Sequence, residues 1–192
     1  MAPAVAVTRR RFTADEYQAM GQAGILGEDD RVELVDGEIL AMSPIGQRHV
    51  AMVNRLTRLL VTRLGDAAIV QPQGSLRLDF ASEPQPDLAI LRHRDDFYET
   101  GERPTSDDIL LLIEVADSSL RYDLGPKAAF YARHGIREYW VVDLHSDTVM
   151  RHADPVDGVY RQAASAPADA AFEPTALPGL ALRHADVFGP PR

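Results

Sequence analysis

Apolar and polar positions along the chain recur with two different periods, and each period predicts an element. From residue 46 to 64 (GQRHVAMVNRLTRLLVTRL), Val53, Leu56, Leu60 and Leu64 fall at helical spacing, with Arg48 and Arg55 together on another stripe. A long amphipathic helix is expected there. Upstream, FTADEY opens a first helix: Thr13 and Glu16 form the two halves of a capping box, Phe12 and Tyr17 can close a hydrophobic staple, and Gly21 and Gly24 end it. RVELVDGEILAM is two apolar-rich runs around Asp36-Gly37, a strong hairpin signal.

The two-residue period then takes over. Strands are expected at 68–73, at 75–80 with Leu76, Leu78 and Phe80 inward, at 85–91 entered through Pro86, and at 109–116. The polar stretch 92–108 reads as a loop with a helical turn. LGPKAAFYARHG predicts a helix with Pro126 at its first position and Gly135 as its stop. EYWVVDL, TVMRHA and VYRQA are three more strands, and a Pro- and Ala-rich tail ends in a short segment at HADVF. No internal repeat or second-domain boundary is visible. The order implies an α/β fold, a mixed sheet with helices on its faces, as one domain over 12–192 after a tail at 1–11.

One position breaks the pattern. In LLLIEV (110–115), Glu114 stands among residues that a sheet buries on both faces. Even a neutral polar group left unpaired there costs on the order of 2–7 kcal/mol, so something must compensate. Asp87 is a second acid at the start of a strand, 27 residues earlier, far enough for a loop and a return into the same sheet. Lys127 follows Glu114 by thirteen residues and shares an i, i+3, i+4, i+7 stripe with Phe130, Tyr131 and His134, so its ammonium is expected to face the sheet. At the second position of its predicted helix it opposes the dipole by roughly 0.3–1 kcal/mol. Two carboxylates and one lysine leave a negative pocket. That is consistent with a buried ion-pair network, itself a weak stability device, or with a divalent cation such as Mg²⁺.

Composition sharpens this picture in one respect. Of 20 basic residues, Lys127 is the only lysine. A position that keeps lysine in an arginine-rich chain can use what arginine lacks, a compact ammonium whose pKa moves on burial; chance is the plainer account. Hydrophobic residues at 45% and charged ones at 26% suit a soluble globular domain. No apolar run approaches the roughly 18–20 residues of a membrane span. MAPAVAVTRRRF puts its apolar piece before its charge, the reverse of a secretory signal, so no export is expected. The absence of cysteine excludes disulfides, thiolate zinc sites and cysteine nucleophiles, and fits a cytoplasmic location. A net charge of −9 argues against coating nucleic acid through bulk charge, while leaving a local basic groove open.

With these residues in place, the chain resembles the PD-(D/E)xK nuclease superfamily, in particular its bacterial Uma-two group of endonucleases. The resemblance rests on VELVDGEI, RHVAMVNRLTRLL, QPDLAIL and LLIEVADSSLRYDLGPKAAFYARHGIREYWVVDL, and runs from about residue 12 to 150. It implies a restriction-endonuclease-like core and Mg²⁺- or Mn²⁺-dependent hydrolysis of phosphodiester bonds in nucleic acid, with DNA the expected form. By the resemblance, Asp87 is the acid of the PD pair and Glu114 the second acid, the two holding metal with the carbonyl of Val115. Glu33 matches the acid of the ELVDGE block and His49 the histidine early in the long helix. The pattern asks for lysine two residues after the second acid; Ala116 stands there, and the family supplies its lysine from the following helix, matching Lys127. Arg48 and Arg55 are candidates for backbone phosphates, or a plain solvated helix face. A homodimer is expected if two strands are cut.

Competing readings are specific. His49 also fits a hydrogen-bonded core histidine, and the remaining histidines show no HxH or HExxH spacing. Ser118 and Ser119 lack a G-x-S-x-G setting and read as loop caps. Asp123 reads as a helix cap or as a residue approaching the site. Trp140 reads as core packing, with Asp143 ending its strand. A catalytically inactive binding or regulatory module on the same fold is the alternative function, since fold does not fix activity.

Overall fold

In the computed structural model the described residues are 8–27 and 29–189; residues 1–7 of the N-terminal tail, with the apolar piece weighed as a signal, lie outside them. Helix α1 (Ala14–Gln22) begins on the capping box: Thr13 Oγ1 accepts from the Glu16 N–H and Glu16 Oε2 from the Thr13 N–H. Strands β1 (Val32–Val35) and β2 (Glu38–Ala41) pair antiparallel around Asp36-Gly37. Both turn residues have positive φ, 49° and 78°, as a type I′ turn requires. Helix α2 (Gln47–Leu64) buries His49, Met52, Val53, Leu56 and Leu60, the stripe its spacing predicts.

The main sheet has six strands in the order β3 (Ala68–Pro72), β4 (Leu88–Arg92), β5 (Ile109–Ala116), β6 (Glu138–Asp143), β7 (Thr148–Val156) and β8 (Val159–Ser165). Only β5 and β6 run parallel. The crossover between them is a helical run of three parts: α3 (Leu120–Tyr122), a π turn (Asp123–Lys127) and α4 (Ala128–Arg133). A last short helix, α5, is His184–Phe188.

Alternation along the strands sends side chains to two cores. Leu111, Ile113, Val115, Leu88 and Ile90 meet α2 on one face. Leu112, Ala116, Ala89 and Leu91 meet Ala128, Phe130 and Tyr131 of α4 on the other. No helix among the described residues is long and apolar enough to cross a membrane.

Two expectations need correction. Residues 75–80 form no strand. Their N–H groups bond to loop carbonyls instead, Leu76 to Pro84, Arg77 to Pro104 and Leu78 to Ser82, and Phe80 is 75% exposed rather than inward. Gly74 before this segment and Pro84 and Pro86 beyond it deny a regular ladder. The crossover helix begins at Leu120, so Pro126 lies inside it rather than at its first position. Proline removes one i→i−4 donor, and the run widens there into a π turn. Lys127 is therefore not in a first turn, and the dipole penalty expected of it does not arise.

Candidate active site

Glu114 lies on the α4 side of β5, the face it shares with Leu112 and Ala116, and is 5% exposed. What compensates it comes from three elements. Its Oε1 accepts from the Tyr131 hydroxyl at 3.0 Å and sits 2.9 Å from Lys127 Nζ. Its Oε2 accepts from the Asp87 N–H at 3.3 Å. The π turn and α4 together turn Lys127 and Tyr131 towards the sheet.

Asp87 owes its place to strand register. In β4–β5 pairing Leu88 faces Ile113, and one step further Asp87 falls opposite Glu114. Asp87 Oδ2 accepts from the Val115 N–H at 2.8 Å and from His49 Nε2, at the N-terminal end of α2, at 2.9 Å. In that bond His49 Nε2 donates, and its Nδ1 is buried with no partner among the described residues. Asp87 Oδ1 has no hydrogen-bond partner among the described residues. Glu33 arrives from the hairpin, which backbone bonds between Leu34 and Glu83 tie to the segment before β4. Its Oε1 is 3.5 Å from Lys127 Nζ and its Oε2 accepts from the Gln85 N–H at 3.2 Å.

Glu33, Asp87, Glu114 and Lys127 line one cavity of about 440 Å³, together with Val115, His49, Arg31, Asp117 and Asp123. Negative charge exceeds positive, and the titration behaviour follows from that. Burial raises the Glu114 pKa, to about 8, with Asp87, Asp123 and Glu33 adding to the rise and Lys127 opposing it. Burial works against the Lys127 ammonium, but Glu114 and Glu33 outweigh it and hold its pKa above the ordinary lysine value. Burial alone would lift Asp87; the hydrogen bond and charge of His49, the Val115 N–H and Lys127 overcome it and hold Asp87 low.

One contributor, Tyr131, escapes the reading from sequence, and of the two readings of Asp123 the approach to the site holds. Asp123 caps no helix: Ser119 stands at the N-cap of α3, and Asp123 accepts from the Ser119 hydroxyl while lining the cavity. Burial raises its pKa. Tyr131 belongs to the apolar stripe, and nothing in its spacing marks the hydroxyl that reaches Glu114. Arg48 and Arg55 do not line the cavity. Arg48 bonds to Asp147 at 3.0 Å, and the Arg55 guanidinium lies beside Gly189. Ala116 is fully buried, and the lysine comes from the crossover helix.

The donor set is made of carboxylate and backbone oxygens, which suits a hard cation. No three His, Asp or Glu side chains among the described residues converge as a ready metal cage. The fit is to an ion that keeps several waters and uses one or two carboxylates, as Mg²⁺ does. Asp87 Oδ1 is the oxygen left for it.

A mixed six-stranded sheet with helices on both faces, carrying an acid-and-lysine cavity, defines a restriction-endonuclease-like α/β domain. The chain belongs to the Uma2 family, described as "Putative restriction endonuclease", which matches residues 14–185. By that description nuclease is its class of activity. The fold is shared with a solved structure described as a "putative nuclease belonging to DUF820" from Anabaena variabilis. The TM-score is 0.70 at 16% identity, over 92% of this chain and 97% of that one. At that identity the likeness shows the fold alone. No curated protein matches.

Proposed function

We propose that the chain is a metal-dependent endonuclease of the PD-(D/E)xK type, hydrolysing phosphodiester bonds in nucleic acid, DNA in the first instance. The observation that carries the proposal is that the chain's only lysine is buried between Glu33 and Glu114 in the cavity that also holds Asp87. Mg²⁺ or Mn²⁺ would be held by Asp87, Glu114 and the Val115 carbonyl. When bound, such an ion supplies Lewis acidity towards the phosphate and activates the attacking water.

The remaining roles belong to the chain. In the reaction water adds to phosphorus, the bond to the leaving oxygen breaks, and that oxygen takes a proton. Lys127 keeps its proton at neutral pH, so it orients the water and offsets charge developing on the phosphate rather than acting as a base. His49 and the Val115 N–H fix Asp87 through Oδ2 and leave Oδ1 for the ligand. Glu33 holds Lys127 together with Glu114. A homodimer belongs to this reading only if both strands of a duplex are cut.

A second reading, the inactive binding module, draws on one observation: both Glu114 oxygens already accept from protein donors. The variant Lys127→Arg separates the two. On plasmid and oligonucleotide substrates with Mn²⁺, the wild type is expected to cleave about 10²-fold or more faster than K127R, with circular dichroism unchanged. Equal cleavage by the two removes Lys127 from the mechanism.

A further inference from the structure

The reacting groups lie deep. Glu33, Glu114, Lys127 and Asp87 are 3%, 5%, 6% and 9% exposed, so a phosphate has to enter the cavity to reach them. One stretch of wall is apolar: Leu40 and Met42, from β2 and the residue after it, and Ile45 from the segment leading into α2. Tyr122 of α3 lines the same cavity. Ile45 and Tyr122 are 39% and 36% exposed, large apolar groups left open in a cavity that also carries five acids.

The charge of the lining is as informative. Glu33, Asp87, Glu114, Asp117 and Asp123 face two fixed cations, Arg31 and Lys127. Both cations are engaged, Lys127 with the acids and Arg31 with the Ser43 carbonyl at 2.9 Å. A duplex carries a negative charge for about every 1.7 Å of its axis and needs a cationic track beside its strands. The cavity lining offers no such track. A single strand can turn one nucleotide into a pocket, stack its base on aromatic and apolar side chains, and bind through few phosphates. Arg121, next to Tyr122 in the chain, is exposed and has no ion pair among the described residues.

Resting on the nuclease reading above, we propose that the site takes unpaired nucleic acid, an overhang or a single-stranded segment. The base lies against Tyr122, Ile45 and Met42, and the adjoining phosphate points towards Asp87 and Lys127.

The test is fluorescence anisotropy of the full chain in Ca²⁺ with labelled single strands, blunt duplexes and overhang duplexes, each as DNA and as RNA, alongside product formation in Mn²⁺. Single strands and overhangs are expected to bind at least tenfold tighter than blunt duplexes. The logarithm of affinity should fall with the logarithm of salt at a slope of about −1 to −2, one to three phosphates at about −0.7 each. Tyr122→Ala should weaken single-strand binding about five- to hundredfold, one stacked base, and Tyr122→Phe should retain it. The DNA and RNA arms identify the sugar. Blunt duplex bound or cut as well as single strand overturns this inference and leaves the nuclease reading standing. Preferred single-strand binding with no cleavage of any substrate overturns the nuclease reading and keeps the site as a binding one. Binding of no nucleic acid overturns both.

Discussion

Glu114 shows how one residue's surroundings set its protonation. An unfolded glutamate titrates near 4.5, whereas burial among other acids lifts Glu114 to about 8. Between those values the folded chain binds more protons than the unfolded one, so stability falls as pH rises through that window. Asp123, raised for the same reason, acts in the same direction. Asp87, held low, contributes stability above the ordinary aspartate value and loses it as pH falls towards its own pKa. Lys127 contributes throughout, since it stays protonated below the lysine value. Urea unfolding in EDTA is therefore expected to give greater stability at pH 5.5 than at pH 8, and Glu114→Gln should reduce that slope. A stability that rises over the same interval would contradict this protonation. At this scale the apolar context of Glu114 made it legible from sequence, and its rarity did the same for Lys127. Asp123 was legible only as one of two readings, because an acid after "RY" at a helix start also looks like a cap.

Among the elements, the ones with strong local chemistry were legible in advance. The Thr13 and Glu16 box, the Asp36-Gly37 turn and the α2 stripe each carry a signal within a few residues. The misreadings come from segments whose partners lie outside the local pattern: 75–80 donates its N–H groups to the carbonyls of Pro84, Pro104 and Ser82, which no alternation of Leu76, Leu78 and Phe80 reveals. Pro126 departs from the expectation because proline is favoured at a helix start, while here it lies inside a π turn in mid-run. The hairpin matters for the site because β1 carries Glu33. Gly37 has φ 78°, and a Cβ there would meet the Arg11 Cβ at 2.6 Å. Gly37→Ala is expected to cost about 1–2 kcal/mol, seen as a fall in melting temperature of roughly 2–8 °C. An unchanged melting temperature would mean that the turn does not need its left-handed glycine.

The whole molecule concentrates acid where its strands and crossover converge. Register brings Asp87 to Glu114, the hairpin adds Glu33, and the crossover between the two parallel strands adds Lys127 and Asp123. The fold class was legible because helical and strand periods alternate in order along the chain. Topology was not, since nothing local says that β5 and β6 alone run parallel. A net charge of −9 gathered partly into one cavity suits a cation, and the nuclease proposed above needs a divalent metal there. Thermal unfolding in EDTA, Mg²⁺ and Mn²⁺ of the wild type and of Asp87→Ala/Glu114→Ala tests it most directly. A ligand bound only by the folded chain at 100 times its Kd adds about 2.7 kcal/mol, roughly 5–11 °C for a chain of this size. A rise of that order is expected with Mn²⁺ in the wild type and none in the double variant. No response to millimolar metal in the wild type, or an equal response in both, would contradict it.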